Sequence, residues 1–304
     1  LLLIAFLSRS YPLLLLGVAV QAFGAGAYYS CSYGLTVRSV PLSLRGLGVA
    51  FVTLGMVTGS AAGLSVAAFL STALGSWKAP FLWMALPTFS MAFWFAWAVP
   101  PQAGAPQRLG GFRTFFRHRD LVALAVAGFC LLYSQWVMLS WTPSFLFQER
   151  GIPLEQAGLF TAITVAPSAA GALAWGRLSD RLGRKRLLLA VTPAMVISVL
   201  LVAFGASTSL MVLGLALFGL TGGLALNPLI VAWGGDLAAG RIGIGTAIAT
   251  LNASVVSGSI IAPYLSGWIL DFTGSLEGAF LLAAAIGGMG LLLCLLPREM
   301  RKAG

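Results

Sequence analysis

Gly176-Arg177-Leu178-Ser179-Asp180-Arg181-Leu182-Gly183-Arg184-Lys185-Arg186 is a dense cluster of charge, and residues 187–206 directly after it carry none. An apolar run of about 20 residues is the length that crosses bilayer hydrocarbon as a helix. Residues 156–175, before the cluster, form another such run. Two apolar rods joined by a short cationic turn predict a transmembrane hairpin. Gly183 permits the reversal, and helices satisfy their own backbone in lipid without closing a barrel.

The pattern continues outward in both directions. Further runs cover 13–37, 46–74, 79–99, 121–147, 210–233, 242–270 and 278–296, and residues 1–7 read as the tail of one more. No period-two alternation breaks the series. Apolar residues make up 59% of 304 positions and charged residues 9%, against about 25% charged in soluble domains; the mean hydropathy is +0.95. Water cannot be the only solvent for such a chain. The reading is an all-α membrane protein with nine full transmembrane helices plus part of a tenth. Cys31, Cys130 and Cys294 lie far apart inside apolar runs, which predicts packing residues rather than a metal site or a disulfide framework.

Threading these runs back and forth sorts the loops onto two sides. Of the 18 basic residues, all but Arg9, Lys78 and Arg150 fall on one side. Cationic loops face the cytoplasm, so the C-terminus is expected there, in a multi-pass protein of the cytoplasmic (inner) membrane. The net charge of +10 is then a device for orienting helices against anionic lipid, and nucleic acid is not an expected partner.

An offset of 199 residues superposes Gly46 on Gly245, Gly59-Ser60 on Gly258-Ser259, and the Gly75-Ser76 and Phe81-Leu82 pairs on Gly274-Ser275 and Phe280-Leu281. Such a repeat implies two six-helix halves related by an axis along the membrane normal. Residues 1–99 are read as the remainder of the first half, 100–119 as a cytoplasmic linker rich in Pro, Gly and Arg, and 120–304 as the second half. Matching the halves leads to the expectation that roughly 80 residues are missing from the front.

The opening stretch resembles the cytoplasmic signature of the major facilitator superfamily, G-x-L-x-D-R-x-G-R-[RK], at every fixed position: Gly176, Leu178, Asp180, Arg181, Gly183, Arg184 and Lys185. The resemblance implies a helical bundle of which this chain holds family helices three to twelve. It also implies a gate, with Asp180 near Arg45 and Arg181 or Arg184 pairing with Asp236. Gly46, Gly55, Gly59-Ser60 and Gly63 are similar to the superfamily's antiporter motif. Ser60 replaces its Pro and Leu64 its last Gly, so a packing stripe of small residues is the preferred reading.

In that family the cavity is lined mainly by helices one, four, seven and ten. The resemblance therefore points to Gln21 and Tyr28, to Tyr133, Gln135 and Trp136, and to Asn227, with Asn252 added from the eleventh helix, as substrate-binding candidates. An intramembrane polar group needs a partner, in a site or in a neighbouring helix. The eight acids all fall at helix ends or in loops, so these runs hold no mid-membrane proton relay.

A P-loop is absent, which argues against an ATP-driven pump. The single histidine, His118, lies in the basic linker, and no catalytic arrangement is available. The expectation is a monomeric secondary transporter, not an enzyme, with no cofactor, no metal and no catalytic residues. It would move a small organic solute, an organic anion or metabolite, by alternating access. Its partners would be that solute, the lipid and a proton or other coupling ion. The alternative is a proton-coupled drug or metabolite efflux antiporter.

Overall fold

The computed structural model describes residues 10–22, 24, 32, part of 51–76, and 78–98, 112–222, 226–238 and 242–297. Its helices are α1 (Tyr11–Ala22), α2 (Ala79–Ala98), α3 (Phe112–Phe115), α4 (Arg119–Gln148), α5 (Leu154–Ala162), α6 (Val165–Leu182), α7 (Arg184–Phe204), α8 (Thr208–Thr221), α9 (Leu226–Ala238), α10 (Ile244–Thr273) and α11 (Glu277–Leu293). The described residues between 51 and 73 are helical too, and no strand occurs among the described residues. Among the described residues, five helical stretches are long and apolar enough to cross a membrane. The chain divides into two compact units, Leu1–Gln107 and Arg108–Gly304.

The second unit is built around α4. At about 1.5 Å per residue its 30 residues rise about 45 Å, more than the hydrocarbon thickness. α10 and α11 pack on it, α7 packs on α11, and α8 lies between α6 and α7. Glycine makes the closest approach: a Cβ on Gly258 of α10 would stand 2.6 Å from the Phe129 carbonyl oxygen and 3.0 Å from the Tyr133 nitrogen. Only a bare backbone fits that crossing. On the other side of α4, the Ser134 hydroxyl donates to the Ala283 carbonyl of α11 at 2.6 Å. Phe145 meets Phe280 with ring centroids 4.6 Å apart.

One of the apolar runs is kinked where the sequence reading had a straight rod, while still spanning as one stretch, Gln156–Ser179. The run 156–175 breaks at Ile163 and Thr164, between α5 and α6. Pro167 explains the position, since its ring has no N–H to give and crowds the carbonyl four residues earlier. Within the run 210–233 the described residues form α8 and α9, with Pro228 third in α9. The two runs pack back to back. The Gly219 Cα faces the Thr164 carbonyl, Gly171 faces that of Leu220, and the Trp175 indole donates to the Leu220 oxygen at 2.8 Å. That bond occupies one of the four carbonyls a helix end leaves without an internal partner.

Candidate functional site

Charge in the second unit is partitioned by its helix ends. One end gathers the start of α4, the α6–α7 turn, and the last turns of α9 and α11. Gly183 makes the α6–α7 turn with φ 93° and ψ 145°, a conformation essentially reserved for glycine. The turn delivers Arg184 to Asp236, with 3.0 Å between Nη1 and Oδ2. Lys185 points to the C-terminus of α11 and donates to the carbonyls of Leu295 and Pro297 at 2.6 and 2.7 Å. A cation there also meets the negative end of the helix dipole. Thus two neighbouring motif residues tie α7 to α9 and to α11, and Gly176 stands exposed about two turns before them.

At the opposite end a second tie is formed by Glu149 and Arg150, just beyond α4. The Glu149 carboxylate accepts from the Ser275 hydroxyl at 3.1 and 3.2 Å and from the Leu276 backbone N–H. It therefore caps the start of α11 from another helix, where negative charge is favoured. Arg150 donates to the Ala203 carbonyl near the end of α7 and lies 5.3 Å from the centroid of the Phe145 ring. Motif reading did not single out Glu149 or Arg150. The signal was present: an adjacent acid and base at the end of a 30-residue helix, on the side otherwise poor in cations.

Between these ends the unit is apolar, with a few polar atoms sealed inside it. The Tyr133 hydroxyl (1% exposed), the Gln135 side-chain oxygen (5%), the Trp233 indole N–H and the Ser266 hydroxyl are buried without a hydrogen-bond partner. Tyr133 on α4 faces Ser266 on α10 without reaching hydrogen-bond geometry. Leaving such a group unsatisfied costs about 1–3 kcal/mol. Of the sequence-predicted candidates, Asn252 is half-buried on α10, while Trp136 and Gln21 are exposed. Tyr28 and Arg45 lie outside the described residues, as do the side chains of Asp180, Arg181 and Asn227. Trp233 and Ser266 were missed because a tryptophan near a run's end and a serine in an apolar run look like packing residues. Among the described residues no cluster of His, Cys, Asp and Glu could hold a metal ion.

A helical unit with charges confined to its ends and a few sealed polar atoms midway is the make-up of a polytopic membrane protein. The family model described as Major Facilitator Superfamily matches residues 1–243 and again 124–304, and the chain belongs to that superfamily, one of transporters rather than enzymes. It is 29% identical over 195 residues to "Probable sulfoacetate transporter SauU" of Cupriavidus necator, covering 60% of this chain and 43% of that protein. To "Multidrug resistance protein MdtG" of Proteus mirabilis it is 34% identical over 132 residues, covering 42% of this chain and 31% of the relative. The chain therefore spans less than half the length of these two relatives. Its fold is similar to that of the E. coli fucose:proton symporter FucP, with a TM-score of 0.73 at 17% identity over 96% of this chain and 78% of that one.

Proposed function

We propose that the protein is a secondary transporter that moves a small organic anion or related metabolite across the cytoplasmic membrane by alternating access. The observation that carries this reading is the set of sealed, unsatisfied polar atoms on α4, α9 and α10, with no carboxylate among them. Tyr133, Trp233 and Ser266 offer hydroxyl and indole donors to an oxyanion, and the Gln135 oxygen accepts from a solute hydroxyl, whereas a cationic drug calls for an acid. Asp120, Glu149, Asp236, Asp271 and Glu277 all sit at helix ends. A charge in mid-membrane is costly and marks an ion relay, so any proton coupling would use groups beyond these helices. The name of the sulfoacetate relative points the same way; the multidrug relative supports drug efflux as the second reading. In both, the described end rich in Arg and Lys faces the cytoplasm.

Uptake by the full-length protein in proteoliposomes, with and without a proton gradient, tests this directly. Saturable uptake of a sulfonate or sugar acid is expected, with Gln135→Leu and Tyr133→Phe each lowering it about tenfold, as loss of one polar contact of about 1.4 kcal/mol implies. Export of lipophilic cations with no transport of organic acids would overturn the anion reading.

A further inference from the structure

A groove of about 340 Å³ runs between the start of α4 and the end of α11, lined by Phe116, Arg119, Val122, Val126, Leu293 and Leu296 among others. Its walls are apolar along α4 and α11. At its mouth they give way to cations: Arg119 lines the groove, and Arg113 and Arg117 lie within six residues of it, all three exposed. Phe116, 56% exposed, stands among them, the place an aromatic ring takes at the boundary between headgroup and acyl chain. Asp120, next to Arg119, is the acid at this mouth, and it already has an interaction partner. Lys185 is engaged with the α11 carbonyls, and the three arginines are exposed to meet a ligand at the surface.

We infer that this groove is a binding site for an anionic phospholipid. One acyl chain lies along Val122, Val126, Leu293 and Leu296, and the phosphate is held by Arg119 with Arg113 and Arg117. The two ends of the groove call for the two ends of one molecule. An apolar trough alone would accept any lipid tail, and three guanidiniums alone would accept any anion. Together they select an amphiphile with a negative head. Basic residues near an anionic membrane surface contribute about fivefold each to binding. The site depends on the chain being embedded in lipid and not on what is transported, so counting bound lipid tests it separately from uptake.

The experiment is native mass spectrometry of the full-length protein, delipidated and then equilibrated in mixed micelles with equal phosphatidylglycerol and phosphatidylethanolamine. Retention of phosphatidylglycerol at least threefold above phosphatidylethanolamine is expected. The Arg113→Gln/Arg117→Gln/Arg119→Gln variant should bring the ratio close to one. Val126→Trp, which fills the trough and leaves the cations in place, should lower phosphatidylglycerol retention by a similar factor. Equal retention by the parent protein, or a preference untouched by both variants, would overturn the site. So would displacement of phosphatidylglycerol by equimolar cardiolipin, because a two-phosphate lipid would then be the occupant.

Discussion

α2 and α11 are counterparts at the 199-residue offset, yet they live in different surroundings. α11 buries Ala279, Phe280, Ala283, Ala284, Gly287 and Gly290, with α4 on one side and α7 on the other. In α2 only 6% of the spanning window is buried, and Trp83, Phe89, Phe93, Trp94, Phe95 and Trp97 are exposed. Phe280 is fully buried against Phe145, and its counterpart Phe81 is only half-buried. Both helices are apolar almost throughout. In lipid, hydrophobicity alone does not decide which face is buried, because the solvent is as apolar as the core. Neighbours decide it, through close backbone approach and a few polar ties.

The largest effect is expected where that approach is tightest. Gly258→Val pushes a side chain into the α4 backbone, and thermal unfolding in detergent should show a loss of about 1–3 kcal/mol. Gly59 is the counterpart of Gly258, and a Cβ there meets nothing within 4 Å. Gly59→Val should change stability by less than about 0.5 kcal/mol. Equal damage from both would break the comparison, showing that the open face is covered in the full-length protein.

The ties that fix α11 come next, at its two ends. Glu149→Ala leaves the Leu276 N–H and the Ser275 hydroxyl without their acceptor, and a loss of about 1–2 kcal/mol is expected. Hydrogen exchange should report it first in residues 275–280. Lys185→Met removes a donor to the Leu295 and Pro297 carbonyls, an effect of about 1 kcal/mol. The Arg184–Asp236 pair, with side chains 22% and 46% exposed, should show the smallest coupling. A double-mutant cycle is expected to give about 0.2–1 kcal/mol, falling as salt rises. A larger value would mean that this pair, rather than Glu149, holds the unit together.

The series of apolar runs was legible in the chain because bilayer thickness imposes a length on every span. Residues 119–148, 184–204 and 244–273 therefore fold where the runs were marked. The break at Ile163–Thr164 was not marked, although Pro167 was in view. A proline inside a run leaves one transmembrane helix continuous, as Pro143 and Pro263 do, and breaks another briefly, and the packing of its neighbours chooses. Among the candidate site residues, Tyr133 and Gln135 are sealed inside the second unit, while Trp136, between them in polarity and adjacent in sequence, faces outward. Helical geometry turns each successive side chain by about 100°, so polarity without a partner helix does not tell inward from outward.

Sequence alone set the solvent, the length of the rods and the gathering of the cations onto one set of loops. These follow from the energy of placing charge and open backbone in hydrocarbon, a property of each segment by itself. Tertiary structure decided which glycines touch backbone, that Lys185 and Glu149 fasten opposite ends of one helix, and which polar atoms are sealed away. Those outcomes depend on contacts between residues up to 149 positions apart, and within lipid no difference in solvation foretells them.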